Sequence, residues 1–151
     1  MKKLKMLFLC TANSCRSQMA QGLTRHLRGD VWEIFSAGIE PGKLDPVAVE
    51  VLAEIGIDIS DQYSKHVNDF KEKNFDYVMT VCDRAKEKCP KYTGSEPNLH
   101  FGFDDPSSST FNASHDEKLK VYRRVRDLMY DVIVDTLDSL IETSNHKKDA
   151  L

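Results

Sequence analysis

Leu4-Lys-Met-Leu-Phe-Leu-Cys10-Thr-Ala-Asn-Ser-Cys-Arg16-Ser17 is the stretch from which the rest of the chain is best read. Leu4 to Leu9 is apolar, short and followed by turn chemistry, so it reads as a buried strand. Ser17 to Arg28 reads as a helix, with Met19, Ala20, Leu23 and Leu27 on one face and Gly29-Asp30 as its stop. Between them a thiol, Cys10, and a guanidinium, Arg16, stand five residues apart on a strand-to-helix turn. That arrangement describes a pocket for a tetrahedral oxyanion. Loop N–H groups converge on the anion and the helix adds the positive end of its dipole. Arg16 can fork onto two anion oxygens. The same field favours the Cys10 thiolate, so the pocket prepares its own nucleophile.

The bulk properties narrow the setting. A chain of 151 residues with 40% apolar and 30% charged content suits one soluble domain, taken here as 1–151. A formal net charge of −3 argues against nucleic acid as a partner and says nothing against a locally positive pocket. No membrane segment is expected. The N-terminus has the outline of a lipoprotein signal, but its uninterrupted apolar stretch is only Met6 to Leu9, and Leu9 is not small. A cytoplasmic setting follows, in which thiols stay reduced and the four cysteines read as reactive rather than structural.

Further elements alternate along the chain. Val31 to Ala37 reads as a second strand closed by Gly38. Asp45 is a good N-cap before Pro46, opening a helix to about Ile55 that Gly56 stops. Tyr77 to Val81 reads as a third strand ending at Cys82, residues 83–89 as a short charged helix, and Leu99 to Phe103 as a fourth strand. Gly102 to Thr110 reads as a polar loop. A long helix starts at about Asp116 and frays after Thr143. The pattern predicts a three-layer α/β/α domain, a four-stranded parallel sheet with helices on both faces. Ligands of such sheets sit beyond the carboxyl ends of the strands, where Cys10 and Cys82 both fall.

Cys10-x5-Arg16-Ser17 after the first strand, with Asp105-Pro106 in a late loop, resembles the low-molecular-weight tyrosine phosphatase fold family. Within it the chain most closely resembles the thioredoxin-coupled arsenate reductases. Three motifs carry this in order: Cys10-Thr-Ala-Asn-Ser-Cys-Arg-Ser-Gln-Met-Ala20, Val81-Cys-Asp-Arg-Ala-Lys-Glu-Lys-Cys89-Pro90, and Gly102-Phe-Asp-Asp-Pro106 followed by Arg123-Arg-Val-Arg-Asp127. They span nearly the whole chain.

The resemblance implies roles. Cys10 is the nucleophile, and Thr11, Ala12, Asn13, Ser14, Cys15, Arg16 and Ser17 form the oxyanion-binding loop. Asn13 tolerates the left-handed backbone that such a loop needs. Ser17 serves equally as a donor to the thiolate or as a plain helix cap. Asp105, extended by Pro106, is the general acid, with Asp104 as its competitor. Cys82 and Cys89 belong to the reductase reading, since a phosphatase needs neither. In an intact helix positions seven apart are about 10.5 Å apart along the axis. A disulfide needs Cα atoms within roughly 7 Å. Joining Cys82 to Cys89 must therefore unwind the segment between them, which buries almost nothing.

The implied reaction is a relay. Cys10 attacks arsenic, Cys82 attacks Cys10 and releases arsenite, Cys89 attacks Cys82, and thioredoxin reduces the resulting disulfide. Electrons come from thiols, so no bound cofactor is implied. Cys15 reads as structural, or as a partner for a protective disulfide with Cys10. Neither the histidines nor the cysteine spacing suggests a metal centre. Some relatives hold potassium through an acidic residue on the first helix. Gln21, Tyr63 and Lys65 stand at those positions here, and no cation is carried over. A monomer is expected. Phosphotyrosine hydrolysis, needing only Cys10, Arg16 and Asp105, is the alternative, and a non-catalytic anion or redox sensor is the third reading.

Overall fold

The computed structural model describes residues 2–70, 73–83 and 98–149. Four parallel strands, β1 Leu4–Cys10, β2 Trp32–Gly38, β3 Tyr77–Thr80 and β4 Asn98–His100, form one sheet in the order β2-β1-β3-β4. Helices α1 Arg16–Arg28, α2 Pro46–Ala53, α3 Pro106–Ser109 and α4 His115–Asp149 complete the described elements, with a 3-10 turn at Val67–Phe70. This is the α/β class with the four-stranded parallel sheet that the alternating pattern predicts.

Alternation along the strands sorts the core. Met6, Phe8 and Cys10 of β1, Trp32 and Ile34 of β2, and Tyr77 and Met79 of β3 face α1, α2 and α4. Met19 and Leu23 of α1, Leu52 of α2, and Met129, Ile133 and Leu137 of α4 meet them there. Leu7, Leu9, Ala37 and Val78 face the other way, onto Phe70 and Phe75. Strands apolar on both faces are what a parallel sheet requires. The sheet runs outward from β1 in both directions, to β2 on one side and to β3 on the other. The crevice beyond the carboxyl end of β1 is therefore a topological switch point, where open α/β sheets bind ligands.

Several boundaries differ from the sequence reading, each for a local reason. Gly102 to Thr110 is not all loop: Asp105 caps the one-turn helix α3, accepting from Ser107 N–H at 3.0 Å, with Pro106 in its first position. The same Asp-Pro signal opens α2, where Asp45 accepts from Val47 N–H at 2.9 Å. α2 ends at Ala53, and Gly56, at φ 83°, turns the chain away as expected. β3 stops at Thr80 and β4 covers only Asn98–His100. α4 stays helical past Thr143, the point where fraying is expected. Leu140 and Ile141 pack on the core there, and Ser144 hydrogen bonds the Tyr77 hydroxyl at 3.2 Å. The helix expected over 83–89 lies outside the described residues except for Asp83. Among the described residues no helix is long and apolar enough to cross a membrane.

Candidate active site

The segment between β1 and α1 wraps into a closed loop because its carbonyls are drawn outward. Thr11 C=O accepts from Glu40 N–H, Ala12 C=O from Gly42 N–H, and Ser14 C=O from Asp45 N–H, each at 2.9 Å. Asn13 C=O accepts from the Gln18 side chain at 2.9 Å and the Ser64 hydroxyl at 2.7 Å. Cys15 C=O accepts from Met19 N–H at 2.9 Å, the first turn of α1. In a trans peptide C=O and N–H point opposite ways, so the loop's N–H groups turn inward. An inward ring of N–H donors at a helix N-terminus is an anion cradle.

Asn13 makes the closure possible. It is the positive-φ non-glycine among the described residues, at φ 50°, and Ala12 needs no such conformation. Its side-chain oxygen accepts from Lys65 N–H at 2.9 Å and from Gln18 at 3.2 Å. Its N–H donates to Cys10 Sγ at 3.1 Å. On the other side the loop rests on β2, since a Cβ placed on Gly38 would lie 2.5 Å from Thr11 O and 2.9 Å from Asn13 N. Only glycine lets the two backbones come this close.

Cys10 lies 2% exposed at the carboxyl end of β1. Its Sγ is 2.9 Å from Ser17 Oγ, and Asn13 Nδ2 donates to the same Oγ at 2.8 Å. With that oxygen accepting from Asn13, the Ser17 proton points at the sulfur. Both hydrogen bonds to Sγ favour its anionic form. This separates the two readings of Ser17: the α1 cap position is Cys15, whose side chain makes no capping bond, and Ser17 serves the sulfur.

Arg16 is 5% exposed and donates to Phe103 C=O at 3.1 Å, which ties the loop to the segment leading to α3. Its other terminal nitrogen lies 3.7 Å from Asp105 Oδ2. Asp105 is 28% exposed, and its Oδ1 takes both the N–H and the hydroxyl of Ser107. The other oxygen is thereby turned toward Arg16, and Asp105 rather than Asp104 faces the guanidinium. A cleft of about 520 Å³, lined by Asp83, Asp104, Asp105, Ser108 and Arg124, opens beside it.

Cys82 follows β3 on the same edge as Cys10. Val81 N–H donates to Leu9 C=O at 3.0 Å, and Cys10, Cys15 and Cys82 pack in one cluster. Cys10 and Cys15 are free thiols, whereas Cys82 is fully buried and disulfide-bonded. Cys89 lies outside the described residues. Burial pushes the Cys15 thiol well above its ordinary range, helped by the charges of Asp45 and Asp105 and opposed by Arg16. Lys65 donates its ammonium to Tyr63 C=O, and burial together with Arg25 lowers its pKa to about 8.

Gln18, Ser64, Lys65 and the 40–45 segment brace the loop, yet the sequence reading does not single them out for it. They reach it across tens of residues, and no local pattern marks them.

A family model described as low molecular weight phosphotyrosine protein phosphatase matches residues 5–145. An arsenate reductase of Shouchella clausii is 45% identical over 84% of this chain and 90% of the relative. A solved arsenate reductase in the phosphate binding state superposes with a TM-score of 0.74 at 28% identity, covering 90% of this chain and 98% of the other. A thioredoxin-dependent arsenate reductase of Corynebacterium glutamicum superposes with a TM-score of 0.63 at 27% identity, covering 91% of this chain and 63% of the other. With its closed thiol loop and its arsenate reductase relatives, the chain belongs to the low molecular weight phosphotyrosine protein phosphatase family.

Proposed function

We propose that this protein reduces arsenate to arsenite through Cys10, Cys82 and Cys89, with thioredoxin as the electron donor. The observation that carries the reading is the pair of sulfurs on one sheet edge: Cys10, free and hydrogen bonded inside the anion loop, and Cys82, disulfide-bonded just beyond the next strand. A simple ester hydrolase has no use for the second thiol. The relatives named as arsenate reductases, one of them thioredoxin-dependent, support it.

Arsenate sits among the inward N–H groups with its charge matched by Arg16. The Cys10 thiolate attacks arsenic. A hydroxyl leaves from arsenic, taking the proton of Asp105, and a Cys10 S–As(V) bond remains. Cys82 thiolate then attacks Cys10 Sγ. The S–As bond breaks with its electron pair going to arsenic, which leaves as arsenite, As(III), after taking up a proton. Two thiols have become the Cys10–Cys82 disulfide. Cys89 thiolate attacks Cys82, releases Cys10 and forms Cys82–Cys89, which a thioredoxin dithiol reduces while becoming a disulfide itself. Two electrons enter and two leave in each cycle. We place this chemistry in the cytoplasm, where thiols are kept reduced, and in a monomer.

The test compares arsenate-dependent thioredoxin oxidation with hydrolysis of a phosphate ester for the wild type, Cys82→Ser, and Cys82→Ser with Cys89→Ser. Both variants are expected to lose turnover of arsenate and keep ester hydrolysis. Full multiple-turnover arsenite production by Cys82→Ser would refute the relay. Phosphotyrosine hydrolysis is the second reading, favoured by the Arg16–Asp105 pair and the family match. It predicts ester hydrolysis fast enough to dominate, and no arsenate-dependent thioredoxin oxidation in any form.

A further inference from the structure

The relay contains a competition. Any thiolate that reaches Cys10 Sγ while it carries arsenic can complete the reduction. Attack by Cys15 would pass the S–As electron pair to arsenic, release arsenite and leave a Cys10–Cys15 disulfide inside the loop. That product ties up the nucleophile in the wrong bond. Cys15 belongs to the same loop and is a free, buried thiol.

One carboxylate is built into its surroundings with unusual care. Asp45 N–H donates to Ser14 C=O at 2.9 Å, directly before Cys15. Asp45 Oδ1 accepts from Val47 N–H at 2.9 Å, and Oδ2 accepts from the Tyr122 hydroxyl at 2.6 Å. These bonds join the loop, α2 and α4 at a single side chain. Tyr122 is 3% exposed, and burial together with its bond to Asp45 keeps its hydroxyl protonated. The ionisable groups acting on Cys15 are Asp45 from the start of α2, Asp105 from the start of α3, Arg16 and Cys10 from the loop, and Tyr122 from α4. Of the two carboxylates, Asp45 has the larger influence, and it has no part in the chemical steps.

We infer that Asp45, aimed by Tyr122 and Val47, is a positioning residue that keeps Cys15 out of the sulfur exchange and reserves Cys10 for Cys82. The inference rests on the relay and adds to it the reason a thiol in the same loop stays a spectator. A fixed negative charge beside a buried thiol opposes formation of the thiolate, and only the thiolate attacks.

The test gives arsenate to the reduced full-length protein without thioredoxin, quenches in acid, and maps disulfides by mass spectrometry from neutral to alkaline pH. Asp45→Asn is the central variant, since asparagine keeps an oxygen for Val47 and Tyr122 and removes only the charge. The wild type is expected to yield Cys82–Cys89 alone. Asp45→Asn is expected to add Cys10–Cys15 at about tenfold the wild-type level, the change expected for one pKa unit. That species should rise with pH, set in at lower pH than any trace in the wild type, and vanish when Cys15→Ser is added. An Asp45→Asn protein whose disulfide map matches the wild type at every pH, whether formed at the same rate or uniformly slower, overturns the inference and leaves the relay standing. A wild type that forms no arsenate-dependent disulfide overturns the relay, and the inference with it.

Discussion

The loop of residues 10–17 and the segment of residues 102–110 face each other across Arg16 and Asp105, and they are built in opposite ways. In the first, every carbonyl from Thr11 to Cys15 is bonded, and Asn13 and Ser17 are fully buried. In the second, Asp105 keeps 28% exposure, at the head of a four-residue helix, and its Oδ1 answers to Ser107. The difference follows from what each must do. A cradle for charge works best when its donors are fixed before the anion arrives, because nothing then has to reorganise during the reaction. A general acid must give up a proton to an oxygen that then leaves. It needs one oxygen steadied, the other turned inward, and solvent near enough to restore the proton.

The strongest way to break this comparison is Asp105→Asn. The amide still accepts from Ser107 but delivers no proton, so kcat should fall by about 10²–10⁴-fold. KM should change little, and esters with good leaving groups should lose least. Steady-state kinetics on a pair of esters differing in leaving group checks it, and equal losses on both would mean that Asp105 only shapes the loop. Ser17→Ala comes next. It removes the hydroxyl donor to Cys10 and leaves Asn13 Nδ2 without that acceptor. One bond to a charged group is worth about 1.5–3 kcal/mol, so kcat/KM and the rate of Cys10 alkylation should both drop roughly 10–100-fold. Wild-type alkylation would show that the loop N–H groups hold the sulfur unaided.

Smaller effects sharpen the contrast. Ser107→Ala takes one of two donors from Asp105 Oδ1 and should cost about 1 kcal/mol or less in kcat, a few-fold change read by the same kinetics. Lys65→Met tests the brace behind the cradle. The fold holds this ammonium at about 8 against an ordinary value of 10.5, so it disfavours the charged form. Between those pH values the unfolded chain binds more protons than the folded one, and wild-type stability should rise with pH relative to the methionine variant. Solvent screening limits the gain to less than about 1 kcal/mol. Denaturation midpoints measured across that window should converge as pH rises, and parallel curves would contradict the sign.

The legible part of the molecule was the local part. Leu4 to Leu9, Asp45-Pro46, Gly56 and the helical spacing of Met129, Ile133 and Leu137 each state their structure within a few neighbours. Cys10, Asn13, Arg16 and Ser17 do the same for the cradle. α3 was read as loop because one turn shows no apolar period, although Asp105-Pro106 repeats the signal that opens α2. Ser64, Lys65, Gln18 and Tyr122 escaped for another reason. Their work lies in partners 51, 52, 5 and 77 positions away, and most of it is done by backbone groups or single atoms that composition does not register.

Gly38 carries a consequence for the range of anions this scaffold can accept. Main chain rests on main chain there, so the width of the cradle is not a property of any side chain that could be trimmed. Enlarging it for a bulkier guest would mean shifting a whole strand. Diversity among descendants of this architecture is therefore channelled to the rim, while the seat itself stays one size.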